Sequence, residues 1–109
     1  MKDKVIAVFD VGKTNKKVLL FDFDLNIVSE NEEKFPEVTD DDGFECDDIE
    51  KIENWILSSV SQLLASEKYD LVAVNFATYG ATLVYLDKDG KRLTPVYNYL
   101  KPIDDRIPE

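Results

Sequence analysis

Residues 10–17 hold the side chains whose types and spacing could do chemistry. The segment lies between two apolar runs, residues 5–9 and 18–21, and reads Asp10, Val11, Gly12, Lys13, Thr14, Asn15, Lys16, Lys17. A glycine lets the backbone turn tightly, so that successive amide N–H groups converge on an anion, and the lysines add positive charge. The segment therefore predicts a phosphate-binding turn between two strands. A hairpin whose loop is merely polar explains the spacing equally well.

Asp10 places a carboxylate where the rest of the segment favours anions. A carboxylate repels phosphate unless a cation lies between them, and protein-bound Mg²⁺ usually keeps several waters. We therefore expect Asp10 to hold Mg²⁺ through water. The run Gly12-Lys13-Thr14 does not begin a nucleotide-binding P-loop, because the earlier glycine position of that motif is Ala7 and a strand-like run follows.

Composition excludes several function classes. The chain has 109 residues and a net charge of −10, which argues against nucleic-acid or anionic-membrane binding through a basic patch. It has no histidine, which excludes imidazole chemistry from this chain. Cys46 is the single cysteine, and we interpret it as a passive thiol in a reduced compartment. No apolar run approaches 18 residues. We expect one soluble, cytoplasmic domain with a compact core.

The apolar pattern predicts the elements that position the turn. The first run is continuously apolar, which favours a central strand covered on both faces. A helix is expected at residues 48–66, where apolar residues recur every three or four positions after the acidic Asp47 and Glu50. The other predictions are a strand at 18–23, a turn at 24–26, an exposed edge strand at 27–35, a strand at 71–74, a hairpin of 83–86 with 93–99 around 87–92, and a poorly ordered tail at 101–109.

The segment 37–50 carries eight acidic residues and no basic one. Asp40, Asp42 and Gly43 fit the third, fifth and sixth positions of a calcium-binding EF-hand loop. The first and twelfth positions would be Val38 and Ile49, which supply no carboxylate. We therefore expect a solvated loop rather than a calcium site.

A second group of small and polar residues follows the strand predicted at 71–74. Residues 75–80 read Asn-Phe-Ala-Thr-Tyr-Gly. Open α/β sheets bind ligands outside the carboxyl ends of their strands, so this segment predicts a ligand site.

These motifs together resemble the FGGY carbohydrate kinases, in particular the rhamnulokinase and fuculokinase branch. That family begins with a strand ending Asp-x-Gly-(Thr/Ala)-(Thr/Ser)-(Ser/Asn)-x-Arg, which residues 10–17 match. Gly43-Phe44 before the helix is similar to a glycine-aromatic segment of the family. Residues 78–82 resemble its Thr-Trp-Gly-Val-Asp stretch, and 95–99 its Pro-x-x-x-Trp/Tyr strand. The resemblance covers residues 5–106.

The resemblance implies a truncated ribonuclease H-like, actin-like ATPase fold of the α/β class. Its mixed sheet would have a three-strand antiparallel start, one long helix, a parallel strand and a further hairpin. It also implies phosphoryl transfer from ATP, with Mg²⁺, to a sugar or sugar-alcohol hydroxyl. The positions carried over for ATP are Asp10, Gly12, Lys13, Thr14, Asn15 and Lys17, and those for the sugar are Thr78, Tyr79, Gly80, Thr82 and Tyr99.

Departures from the family pattern limit what is carried over. Lys13 stands where a small residue is usual and Lys17 where arginine is usual, which keeps the charge but loses bidentate geometry. Tyr79 replaces a tryptophan and Thr82 the sugar-binding aspartate, so the sugar is not identified. No residue here matches the family's catalytic base, so we expect the isolated chain to be inactive and to self-associate through uncovered sheet surface. The alternative is a non-catalytic binding or regulatory module that keeps the phosphate hairpin.

Overall fold

The computed structural model describes residues 1–13, 15–80 and 84–96. These residues fall into two compact units. Unit 1 comprises Met1–Phe35 with Ile49–Gly80, and unit 2 comprises Pro36–Asp48 with Ala81–Glu109. The elements in chain order are β1 (Asp3–Val11), β2 (Lys16–Phe21), β3 (Ile27–Glu33), β4 (Val38–Thr39), β5 (Glu45–Cys46), α1 (Ile49–Leu64) and β6 (Tyr69–Thr78).

Unit 1 contains a four-stranded mixed sheet with the order β3-β2-β1-β6. β2 pairs antiparallel with both β1 and β3, while β6 pairs parallel with β1. The antiparallel start, the crossover through a helix and the parallel return are all as predicted, and β3 lies at the edge. The strands are longer than the apolar runs, because β1 continues through Asp10 to Val11 and β6 through Ala77 to Thr78, and the sheet register pairs Asp10 with Ala77 and Val11 with Thr78.

One face of this sheet forms the core. The side chains of Val5, Ala7 and Phe9 from β1 and of Val18 and Leu20 from β2 are buried, and they pack against residues of α1 that include Trp55, Ile56, Val60 and Leu63. Ile6 and Val8 alternate to the other face and are only half-buried. Within the described part of unit 1, β1 is therefore central but covered on one face, whereas both faces were expected to be covered.

The single helix expected from the periodicity is α1, which begins one residue later and ends two residues earlier than predicted. Glu50 lies in its first turn, where a negative charge is favoured by the helix dipole. Ile52 is its buried residue, while Leu64 at its last position is exposed.

Most of the acidic segment is exposed, as expected of a solvated loop, but the segment also contains a short hairpin that was not predicted. β4 and β5 pair antiparallel, with Val38 opposite Cys46. One carboxylate oxygen of Asp40 accepts hydrogen bonds from the backbone N–H groups of Asp42 (2.8 Å) and Phe44 (3.0 Å), and Asp40 is buried. The sequence pattern missed this turn because the density of charge suggested exposure.

The Asp40 turn is one of three with the same construction. Each begins with an aspartate whose carboxylate accepts the backbone N–H groups two and four residues later, and each has a positive φ at the fourth position. The three start at Asp22, Asp40 and Asp87, and the fourth positions are Leu25 (φ 65°), Gly43 (84°) and Gly90 (81°). The turn expected at 24–26 therefore begins earlier, because Asp22 supplies its acceptor.

The hairpin expected around residues 87–92 is seen in part. In the described residues it holds one antiparallel bridge, Leu86 with Arg92, and the turn at Asp87. Leu83, residues 97–99 and the tail 101–109 lie outside the described part. No helix among the described residues is long and apolar enough to cross a membrane.

Candidate functional site

The turn between β1 and β2 is tight and depends on a glycine. The backbone N–H of Gly12 donates to the carbonyl of Asn15 over 3.0 Å. A Cβ atom at position 12 would lie 2.7 Å from that same oxygen, which is closer than real Cβ contacts allow. The predicted need for Gly12 is thus confirmed, and its reason is the close approach of two backbone segments.

Lys16 stabilises this turn through a side-chain hydrogen bond, a role that was not predicted from the sequence. Its side chain is 2% exposed, and its Nζ donates to the carbonyl of Lys13 over 3.1 Å. The strand period already contained the signal, because Lys16 alternates with Val18 and Leu20, which face the core.

Lys13 links the turn to the second predicted segment. Its Nζ lies 5.8 Å from the centroid of the Tyr79 ring. The backbone N–H of Tyr79 donates to the carbonyl of Val11 over 3.3 Å, and Thr78 is the register partner of Val11. The chain thus brings the predicted phosphate turn and the first residues of the predicted sugar segment to the same end of the sheet.

Asp10 and Lys17 are register partners across the β1–β2 hairpin, so both side chains leave the sheet on the face opposite α1. The Lys17 ammonium lies 3.4 Å from a carboxylate oxygen of Glu30 on β3, in an ion pair with exposed fractions of 34% and 47%. An exposed pair of this kind is worth about 0–1 kcal/mol. The Lys17 side chain is therefore available to an anion at small cost, but it is not directed at the turn here.

Asn15 contributes a buried polar atom to the turn. Its Oδ1 is shielded from solvent and has no hydrogen-bond partner among the described residues. Since the oxygen and nitrogen of an asparagine amide are assigned from such partners, the opposite amide orientation would place a donor at this point. The predicted contact of Asn15 with phosphate stays a prediction.

An aromatic cluster supports the end of β1 that carries Asp10. The Phe9 ring packs edge-on against Trp55 of α1, with centroids 5.4 Å apart, and stacks on Phe76 of β6 at 5.5 Å. Phe35 makes a further edge contact with Trp55 at 5.9 Å. These contacts join the ends of β1 and β6 to α1, on the face of the sheet opposite the Asp10 side chain.

Of the remaining predicted site residues, Gly80 and Thr78 are exposed, and the Thr78 hydroxyl donates to the carbonyl of Tyr79 over 3.3 Å. Thr14, Thr82 and Tyr99 lie outside the described residues. A Cβ added at Gly80 would meet nothing within 4 Å, so no close approach explains this glycine.

A groove of about 500 Å³ lies elsewhere in unit 1, between α1 and strands β2 and β3. Val18, Leu20, Trp55 and Leu63 form its apolar part, and none of the predicted site residues lines it. The candidate site is thus an open sheet end rather than this groove.

The described residues also bear on metal binding. No group of three or more histidine, cysteine, aspartate or glutamate side chains in this part of the chain is placed to hold a metal ion. The thiol of Cys46 is buried in unit 2, and burial, with the nearby Asp40 and Asp47 carboxylates, raises its pKa. A neutral thiol is a poor metal ligand, which agrees with the passive role expected for it. A single carboxylate such as that of Asp10 suits an ion that keeps most of its waters, so the expected water-mediated Mg²⁺ role of Asp10 stays a prediction.

The described part of unit 1 is thus a mixed sheet with a polar, glycine-dependent turn after its first strand and small or polar residues at the end of its parallel strand. Residues 5–102 match the model of the FGGY family of carbohydrate kinases, N-terminal domain. The chain belongs to this family, as the motif resemblance indicated.

The chain is also similar in sequence to curated proteins named glycerol kinase. The chain is 34% identical over 102 residues to glycerol kinase 1 of Saccharolobus solfataricus, covering 90% of this chain and 19% of that protein. It is 27% identical over 96 residues to a glycerol kinase of Allorhizobium ampelinum, covering 85% of this chain and 19% of that protein. The chain thus spans about a fifth of the length of the curated relatives it matches.

Solved structures share the fold. A ligand-bound xylulose kinase from Lactobacillus acidophilus superposes with a TM-score of 0.70 at 21% identity, over 85% of this chain and 19% of that one. A Plasmodium falciparum glycerol kinase with ADP gives a TM-score of 0.65 at 20% identity, over 87% of this chain and 20% of that one. The predicted α/β, actin-like ATPase fold is therefore confirmed.

Proposed function

We propose that this chain supplies the phosphate-binding wall and part of the sugar pocket of a kinase that transfers a phosphoryl group from ATP to a hydroxyl of a sugar or sugar alcohol. The observation that carries the proposal is the hydrogen bond from Tyr79 N–H to Val11 carbonyl at 3.3 Å, because it joins the two segments that such a reaction must bring together. Family membership supports the reaction class. A cytoplasmic setting, where ATP is available and the lone thiol stays reduced, fits it.

In phosphoryl transfer the protein mainly positions groups and neutralises charge. The backbone at Gly12, the ammonium of Lys13 and the side chains of Thr14 and Asn15 would bind the ATP phosphates, and Lys17 would add charge on leaving Glu30. Asp10 would hold Mg²⁺ through water, and the ion would supply charge neutralisation when bound. On the sugar side the proposed residues are Thr78, Tyr79, Gly80, Thr82 and Tyr99.

The isolated 109-residue chain should not turn over substrate. Asp10 is the one acid of the phosphate motif, and a carboxylate held against hydrated Mg²⁺ is poorly placed to accept a proton from the sugar. No residue of this chain is assigned as general base.

The test is a coupled ADP-release assay on the polypeptide encoded by the complete reading frame that contains this chain, with a panel of glycerol, xylulose, gluconate and deoxyhexuloses. We expect turnover with at least one of them and none from residues 1–109 alone. Tyr79→Ala should raise the KM for the sugar far more than that for ATP, and Lys13→Ala should do the reverse. Lys88→Ala, at an exposed lysine of unit 2, serves as the charge-matched control.

ATP binding to the complete polypeptide without turnover on any acceptor would contradict the kinase proposal. That outcome would favour the other class considered, a binding or regulatory module that keeps the phosphate hairpin.

A further inference from the structure

Lys13 belongs to the proposed phosphate turn, and its ammonium contacts the ring of Tyr79 in the proposed sugar segment. Its ammonium is 5.8 Å from the centroid of the Tyr79 ring, within the range of about 6 Å at which a cation is attracted to an aromatic face. Tyr79 is held at this place by its own backbone, through the hydrogen bond to the Val11 carbonyl. The turn is held from the other side by Lys16, whose Nζ donates to the Lys13 carbonyl. The backbones of both residues are therefore held by hydrogen bonds, and the Lys13 ammonium lies at the end of a side chain with four rotatable bonds.

A phosphate group at the turn would compete with the Tyr79 ring for the ammonium of Lys13. A cation over an exposed aromatic ring gains about 0.5–1 kcal/mol, whereas a charge-assisted hydrogen bond contributes about 1.5–3 kcal/mol. A bound phosphate group at the turn should thus take the ammonium away from Tyr79. The ring face that the ammonium occupied then becomes open to the apolar face of a sugar.

We propose that Lys13 couples the nucleotide and sugar halves of the site: phosphate binding at the β1–β2 turn uncovers the face of Tyr79, and a sugar on that face releases Lys13 to phosphate. This inference rests on the proposed function of the turn. Coupling of this kind is reciprocal, so each ligand raises the affinity for the other by the same factor. A contact of this strength sets that factor at about two- to fivefold.

The experiment is a titration of the full 109-residue chain with Mg²⁺ and inorganic tripolyphosphate, followed by NMR of labelled tyrosine rings and of the Gly12 amide. Tyr79→Phe assigns the Tyr79 ring signals. We expect the Tyr79 ring signals to shift along the same binding curve as the Gly12 amide. In Lys13→Met, whose side chain has similar length and no charge, the Tyr79 signals should start near the position they reach in the saturated wild type.

The chain carries its own matched control. A second lysine–tyrosine pair, Lys68 over the ring of Tyr69 at 5.2 Å, lies at the opposite end of β1, where Tyr69 is the register partner of Asp3. Its signals should stay in place during the titration. Equal shifts at Tyr69 and Tyr79 would show that tripolyphosphate acts on lysines in general, which overturns the inference.

The remaining outcomes separate the inference from the proposed function. A shift of the Gly12 amide with an unmoved Tyr79 ring would overturn the coupling and leave the phosphate role of the turn intact. An unmoved Gly12 amide at saturating tripolyphosphate would overturn both.

Discussion

Gly12 lies where two backbone segments of the β1–β2 turn approach each other closely. Its sequence position suggested a tight turn, and the structure adds the reason: the Asn15 carbonyl occupies the place of a Cβ atom. The tight turn was therefore predictable from the sequence. The hydrogen bond from buried Lys16 to the Lys13 carbonyl was not, because a lysine in a polar segment suggests a ligand contact before it suggests burial.

Gly12→Ala should destabilise the chain by about 1–3 kcal/mol, since the added methyl group must displace backbone rather than a flexible side chain. Urea unfolding measures the difference. Gly80→Ala is the control, because its Cβ would meet nothing within 4 Å, and it should be near neutral. Equal losses at both positions would show that the close approach at Gly12 is not what the glycine is for.

Leu25 occupies the position that is glycine in the other two aspartate turns, at φ 65° and with 72% of its surface exposed. The left-handed conformation costs an L-residue about 1–2 kcal/mol, and glycine loses about 0.5–1 kcal/mol of that gain to its greater chain entropy. Leu25→Gly should therefore stabilise the chain by about 0.5–1 kcal/mol in urea unfolding. Leu25→Ala keeps the strained Cβ and should bring no such gain; if it stabilises as much as glycine, strain is not the cause.

At the scale of elements, the order and pairing of the strands were predictable, and the acidic hairpin was not. Continuous apolar runs and one amphipathic helix define three antiparallel strands and a parallel return. The β4–β5 hairpin was not predicted, because its turn is closed by one side chain, the Asp40 carboxylate, which accepts hydrogen bonds from nearby backbone N–H groups, and a count of charges does not reveal such a turn.

The β2–β3 turn is also closed by an aspartate carboxylate, Asp22, so its contribution to the free energy of unfolding should depend on pH. Asp22 has a lowered pKa, first because the Asn26 backbone N–H donates to its carboxylate, and also through the Asn26 side chain and the Asp24 backbone. A lowered pKa in the folded state means that the stabilisation is complete above the ordinary value of 3.8 and is lost as the pH falls through the folded value.

In urea unfolding, the wild type should have a larger free energy of unfolding than Asp22→Asn at neutral pH. This difference should shrink as the pH is lowered to below 3.8. Asp24→Asn changes the net charge equally and reports the effect of charge alone. A difference between wild type and Asp22→Asn that stays constant with pH would rule out the carboxylate as the source.

At the scale of the whole molecule, the exposed edges of the unit 1 sheet differ in character. β3 carries Glu30, Glu32 and Glu33, whose like charges repel a second copy. β6 has no charged residue from Leu71 to Thr78 and, within the described part of the chain, pairs with β1 alone. Self-association of the isolated chain, which the sequence suggested, is therefore proposed to proceed through β6.

Val72→Lys tests this proposal, because it places a charge on β6 at a side chain that is 51% exposed. Light scattering after size-exclusion chromatography should show concentration-dependent association of the wild type and less of it in this variant. Val28→Lys makes the same change on β3, at a side chain 44% exposed, and should leave association unchanged. A wild type that stays monomeric at high concentration would contradict the proposal.

The central claim is that the β1–β2 turn binds the phosphates of ATP, and backbone amide NMR during a titration with Mg-ATP tests it most directly. The account predicts shifts centred on Gly12, Lys13 and Asn15, with weak affinity that falls as salt is added, since the contacts are electrostatic and screened. Shifts confined to another surface, such as the groove beside α1, or a tight titration in which the Gly12 amide does not move, would contradict it.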